Sequence, residues 1–465
     1  MPISDDSILD NAFLCEPQPT PRVETQHRRI VTPLPSPQTR QRLLDAARVF
    51  PQVNCYQPPV IWDRARGYQV WDEAGNCWID FSSTAVLTNT GHGHAALRSA
   101  LREHAEHGLL AQFNFASDIR IALAEELLKL APRSCEKVYF WTVGSEANEA
   151  ALRLAREWGR RRDSRKTHVI SLAGNFHGWT LGAHELSGAS AQKPWLPAGD
   201  PGIHHLPFPG PRVDDAAFSD PDWGEFFDRS INQLGENGVD ANQVAAVFVE
   251  AMQGWGALPL PVAYVRRLRQ WCDAHDVLLI FDEIQTGFGR TGRWFAHEHY
   301  GVLPDLICLA KGLTSSLPLA ALLGPGEVMD TIPPGEITTT HAGHPMSCAA
   351  ALSNLRVLQQ EQLIEAAAKK GSVAQCELAA LQQRFPDHIA ATTGLGLLRA
   401  IHVTDPGSRS PSRVWARDWI WAAVKHGVML FQVNKPTLKV CPPLIIPEDA
   451  LCEGIRALGD ALETL

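Results

Sequence analysis

Five short apolar runs, at residues 137–141, 168–172, 244–249, 277–281 and 306–310, alternate with helix-like stretches through the middle of this 465-residue chain. Between the first two, residues 146–161 place Ala147, Ala151, Leu154, Ala155 and Trp158 at i, i+4, i+7, i+8 and i+11, one face of a helix. A second helical stretch covers residues 263–275. Apolar strands alternating with helices predict an α/β fold whose mostly parallel sheet is covered on both faces. Ligands of such sheets bind beyond the carboxyl ends of the strands. The residues that close each run are therefore the ones to examine for chemistry.

Those residues form a consistent set. Gly144 and Ser145 follow the first run and open a helix, where backbone N–H groups and the helix dipole favour an anion. A Gly-Ser pair also serves as an ordinary N-cap. Phe176, in Asn175-Phe176-His177-Gly178, follows the second run and offers a ring that either stacks on a planar ligand or packs in the core. Glu250 closes the third run and Asp282 the fourth, with Gln285 just beyond, and Lys311 closes the fifth. A lone lysine at a strand end is more often a surface or ion-pair residue. In a dry site, however, desolvation leaves the amine partly neutral and able to attack an aldehyde. An aspartate facing a pyridine nitrogen keeps it protonated, so the ring draws electrons from the substrate carbon. Lys311 and Asp282 together are the two groups that pyridoxal phosphate requires.

The length exceeds what one core supports, so two domains are expected. A hydrophobic content of 45% and a charged content of 20% are those of a soluble globular protein. The net charge of -9 disfavours a nucleic-acid partner and favours a cationic ligand. Ten cysteines without a CxxC pair suit a reducing compartment, and no run approaches 18 apolar residues, so a cytoplasmic protein without a membrane partner is expected. No metal site is expected: His297 and His299 are two residues apart, not at the i, i+4 spacing of a helical zinc site. The proline-rich residues 1–40 read as an extended arm or tail. Residues 41–94, with a hairpin at 68–81, and 345–465 are expected to form a smaller domain, and 95–344 the larger one.

The chain resembles the class III (fold type I) pyridoxal-phosphate-dependent aminotransferases over residues 55 to 460. The motifs that carry the resemblance are Gly144-Ser145-Glu146-Ala147-Asn148-Glu149, Phe176-His177-Gly178, Glu250 through Gly254, Asp282 through Gly292, and Ala310-Lys311-Gly312. Gly91-His92-Gly93-His94, Thr340 and Pro442-Pro443-Leu444 also fit. The resemblance implies a large domain with a mostly parallel sheet and a smaller α+β domain. It implies that Lys311 is the Schiff-base lysine and proton carrier, and that Asp282 pairs with the pyridine nitrogen. Glu250 supports Asp282, Gln285 lies near the ring hydroxyl, Phe176 covers the ring, and Gly144, Ser145 and Thr340 hold phosphate. His177 belongs to the same cofactor-binding set. Thr340 would come from a second copy, which implies a homodimer.

Three positions depart from the family's carboxylate-handling pattern. Trp179 stands where an arginine follows His-Gly, Trp255 where a glutamate is common, and Lys439 where a second arginine lies. Lysine lacks the bidentate fork of arginine, and two tryptophans offer flat faces. An amino-sugar or aminoglycoside-like polyamine substrate, as in antibiotic-biosynthetic members, is the resulting expectation. Elimination or epimerisation of an amino sugar, and transamination of 4-aminobutyrate or an ω-amino acid, are the alternatives.

Overall fold

A computed structural model of the protein describes residues 16–51, 57–188, 193–196, 199–210 and 222–465. It divides into two compact units: residues 95–254 with 258–364, and residues 1–94 with 255–257 and 365–465.

The larger unit is built on a seven-stranded sheet. In chain order its strands are β1 (Lys137–Trp141), β2 (His168–Leu172), β3 (Ile203–Leu206), β4 (Val244–Glu250), β5 (Leu278–Asp282), β6 (Leu306–Leu309) and β7 (Ala320–Gly324). In space they run β1-β7-β6-β5-β4-β2-β3. All pairings are parallel except those of β7, which is antiparallel to both β6 and β1. The sequence expectations omit β3 and β7. β3 reads Ile-His-His-Leu, with two polar residues at its centre, and β7 reads Ala-Ala-Leu-Leu-Gly, with no β-branched or aromatic residue to mark it as a strand. By contrast every residue of β4 is buried, as a strand covered on both faces requires.

Helix α1 (Gly144–Arg162) packs on this sheet through Ala147, Ala150, Ala151, Leu154, Ala155 and Trp158, all buried. Small residues on that face let the helix axis approach closely. Gly159 marks one such close approach: a Cβ there would lie 2.2 Å from the Lys166 carbonyl oxygen and 2.9 Å from Ala245 Cβ. The helix Pro345–Gln360, expected in the smaller domain, belongs to the larger unit, where it packs on the helices Ala95–His107 and Asp118–Leu130. Its run of small buried residues, Cys348 to Ala351, suits helix-on-helix packing, so the change of unit falls after residue 364 rather than at 345.

The smaller unit contains the expected hairpin, Gln69–Trp71 with Cys77–Asp80, within a sheet that includes residues 23–24 and 29–30. A second sheet joins Ile389–Leu395, Leu398–Val403 and Thr437–Val440 in antiparallel order. The expected N-terminal arm is packed from residue 16 onward, whereas residues 1–15 lie outside the described residues. Ile30 and Leu34 are fully buried with Val70, Trp78 and Val424, because the few large apolar residues of this proline-rich stretch enter the core while the prolines keep the chain extended between them.

Gly159→Ala is expected to lower the urea midpoint of unfolding. Overpacking against a backbone carbonyl costs about 1–3 kcal/mol, more than the ~1 kcal/mol that alanine gains in a helix. An unchanged or raised midpoint would show that the helix shifts freely over the sheet.

Candidate active site

β4, β5 and β6 run parallel, so their carboxyl ends lie together, with Asp282 in register with Glu250 on one side and Cys308 on the other. Lys311 follows β6 by two residues and opens the short 3-10 turn Lys311–Leu313. Its φ is +41°, a left-handed conformation that a lysine seldom adopts. Asn354 Nδ2 holds the turn by donating to the carbonyls of Gly312 (2.8 Å) and Leu313 (3.0 Å). Backbone strain of this kind persists only where the surroundings over-determine it. Lys311 retains some exposure, yet Ala310, Gly312 and Leu313 around it are buried. Desolvation lowers the pKa of its amine, against the opposing pull of the carboxylates of Asp282 and Glu250. Those three groups therefore sense one another.

Asp282 is held on three sides. Its Oδ2 accepts from Asn148 Nδ2 (2.8 Å) and His177 Nδ1 (2.9 Å), and its Oδ1 accepts from the Ile284 N–H (3.0 Å). An ionised carboxylate offers about four acceptor positions, so one remains for a further donor. Glu250 accepts from the backbone N–H groups of Phe176 and Gly254, each at 2.9 Å. Burial, with the neighbouring Asp282 carboxylate, pushes its carboxyl up to about 7, and the two backbone donors only partly offset that. Gln285 lies beside the same turn: a Cβ on Gly254 would meet Gln285 Oε1 at 3.0 Å. One residue beyond Asp282, the fully buried Glu283 accepts from the N–H groups of Ala296 (2.9 Å) and His297 (2.7 Å). His297 is thereby a structural residue.

At the start of α1, Glu146 Oε2 accepts from the N–H groups of Thr142 (2.8 Å) and Val143 (3.2 Å). The N–H groups of Gly144 and Ser145 have no hydrogen-bond partner among the described residues. Gly178 lies against Ser145, and a Cβ at Gly178 would come within 2.2 Å of Ser145 Oγ. Phe176 is 39% exposed and meets Trp179, 64% exposed, edge to face at 5.4 Å. His184 and the exposed Trp195 continue this aromatic row at 5.2 and 5.6 Å. Thr340 is exposed on the turn before Pro345–Gln360, with no hydrogen-bond partner among the described residues.

Trp255 and Lys439 fall in the smaller unit. Lys435 Nζ sits 5.4 Å from the centre of the Trp255 ring, a cation–π contact. Lys439 is fully buried in Thr437–Val440, opposite Ala400. Asn148, Ser171, His184, Trp195 and Asn354 are missing from the sequence-derived set. For Asn148 a signal exists, since it lies three and seven residues before Ala151 and Ala155 on the buried face of α1.

A model of the class-III aminotransferases matches residues 52–462. This chain belongs to the class-III aminotransferase family. It is 31% identical to the leucine/methionine racemase of Thermococcus litoralis over 90% of this chain and 95% of that one. It is 33% identical to a probable 4-aminobutyrate aminotransferase of Bacillus subtilis over 86% and 92%. An amine transaminase from an uncultivated Pseudomonas species, solved with pyridoxal phosphate bound, superposes with a TM-score of 0.80 at 29% identity, covering 87% of this chain and 94% of its own. The family member is a fold type I, pyridoxal-5'-phosphate-dependent transferase. The donor set fits that cofactor: a desolvated amine suits the aldehyde, the remaining acceptor position of Asp282 suits a protonated pyridine nitrogen, and the two unpaired N–H groups of α1 suit a phosphate.

Glu250 makes stability depend on pH. Its folded carboxyl titrates near 7 instead of 4.5, so its stabilisation is full below pH 4.5 and is lost as pH rises towards 7. Glu250→Gln cannot ionise. Thermal melts of this variant in the cofactor-free form are expected to start lower, because an amide NH2 faces a backbone donor, yet to decline less between pH 4.5 and 7 than those of the parent.

Proposed function

We propose that this enzyme transfers an amino group from a primary amine donor, ω-amino acids such as 4-aminobutyrate included, to a carbonyl acceptor. The single observation that carries the reading is the desolvated, strained Lys311 placed within the field of two buried carboxylates. Pyridoxal phosphate supplies an aldehyde that captures the amine and a ring that withdraws electrons from the bond being broken. Lys311 would hold that aldehyde through its Nζ and would carry the proton between the two carbons that exchange it. Asp282 would accept the pyridine N–H at its remaining acceptor position. Glu250 anchors the Phe176 backbone, and Phe176 and Gln285 would contribute to holding the ring. Gly144, Ser145 and the Ser145 hydroxyl at the N-terminus of α1 would hold the phosphate, together with Thr340 of a second copy in a homodimer.

For the donor, the exposed Trp179 beside Phe176 favours an apolar or aromatic body over a compact dicarboxylate. The 4-aminobutyrate and amine transaminase relatives support ω-amines. An amino-sugar substrate draws no support from them, and the Trp255 face offered for it carries the Lys435 ammonium. The racemase relative supports a second reading, in which the carbon that loses its proton to Lys311 regains one on the opposite face.

Lys311→Ala is expected to lower turnover by on the order of 10³-fold and to leave no borohydride-fixable cofactor on the protein. Retained activity or retained fixation would remove Lys311 from the chemistry. With the parent enzyme, 4-aminobutyrate and simple ω-amines are expected to convert bound cofactor to its amine form, followed by absorbance. Loss of optical rotation of L-leucine or L-methionine, with α-deuterium uptake from D2O and without that conversion, would decide for racemisation.

A further inference from the structure

Asp282 heads a chain of three buried side chains, with His177 and Ser171 behind it. His177 Nδ1 lies 2.9 Å from Asp282 Oδ2, and His177 Nε2 lies 3.3 Å from Ser171 Oγ on β2. Ser171 is 0% exposed and His177 2%. The His177 backbone is fixed from both ends: its N–H donates to Ser187 Oγ (2.8 Å) and its carbonyl accepts from Asn148 Nδ2 (2.7 Å). The ring is also met edge-on by Phe248 at 6.1 Å. The order serine, histidine, aspartate is that of a hydrolytic triad, but a hydroxyl with no exposed surface cannot reach a substrate.

Hydrogen-bond inventory decides the direction of this chain. The Asp282 carboxylate receives donors from Asn148 and Ile284, so it acts as an acceptor, and the His177 Nδ1 facing it carries a hydrogen. Asn148 faces two acceptors, Asp282 Oδ2 and the His177 carbonyl, which fixes its amide with nitrogen towards both. The Ser171 hydroxyl has no other partner among the described residues. Were it to accept from Nε2–H, its own proton would be left unpaired in the interior, which is costly. Donation from Ser171 to Nε2 satisfies both atoms.

We infer that Ser171 is a positioning residue for the transfer reaction: its hydroxyl holds His177 in the Nδ1–H tautomer, so that His177 orients Asp282 without cancelling its charge, and Asp282 presents a full negative charge to the cofactor's pyridine nitrogen. This rests on the assignment of Asp282 to that nitrogen. A second proton on His177 would pair with Asp282 as an ion and weaken its hold on the ring. Ser171 thus acts on the cofactor through two intervening groups, His177 and Asp282.

The test uses protein labelled with 15N-histidine, examined with and without bound pyridoxal phosphate. The His177 Nε2 resonance is expected at the position of an unprotonated acceptor nitrogen, with a proton on Nδ1, in both forms. Ser171→Ala should shift that Nε2 resonance, lower kcat by about tenfold, equivalent to the loss of one modest interaction, and leave KM and cofactor content unchanged. Ser171→Thr should restore both signals. A protonated Nε2 in the parent protein, or a Ser171→Ala enzyme with unchanged resonance and kcat, would overturn the inference. If the parent protein retained no cofactor, the functional reading itself would fail, and the tautomer would still be readable in the cofactor-free protein.

Discussion

A buried carboxylate held by neutral donors is what the rest of the site depends on. Asp282 ends a strand in the middle of a parallel sheet, where an unpaired charge is costly. Asn148 from α1, His177 from the segment after β2 and the Ile284 backbone each supply one hydrogen bond. None of the three brings a fixed positive charge. The negative charge is therefore stabilised without being neutralised, and one acceptor position remains open. The three donors also tie α1, the segment after β2 and the end of β5 to a single point.

Lys311 answers to that charge. Burial alone would depress its amine, while Asp282 and Glu250 pull the other way. The balance keeps an amine that is reactive but not indifferent to the carboxylates around it. Glu250 moderates the effect, because a carboxyl that titrates near 7 carries only part of its charge in neutral solution. The same pH range then alters both the stability of the fold and the field at the lysine.

Much of this was legible from the residues. β1, β2, β4, β5 and β6 declare themselves as apolar runs, and each delivers its chemical group just past its end because parallel strands expose their carboxyl termini on one edge. β3 and β7 do not declare themselves, since His204 and His205 interrupt one and unbranched side chains fill the other. The partners of Asp282 were hidden for a different reason. Asn148 and Ser171 are small polar residues inside apolar segments, and whether such a residue is a ligand or a filler depends on what folds opposite it. The N-terminal stretch was open from sequence: its prolines suggested an extended arm or a tail, and from residue 16 onward Ile30 and Leu34 lie buried in a core cluster. Trp255 and Lys439 were read together with Trp179 from sequence, and the fold assigns them to a different unit.

The antiparallel β7 has a consequence for the lysine. A parallel neighbour would have required a long crossover, but β7 returns beside β6 with Leu309 opposite Ala321, so the chain from residue 310 to 319 forms a short closed loop with both ends fixed in the same sheet. Lys311 rides on that loop. Its closure entropy is met when the sheet forms, and a group joined to Lys311 would require little further ordering of the chain that carries it. Lys311 is held in place by the fold itself, through the sheet on either side and Asn354 beneath its turn.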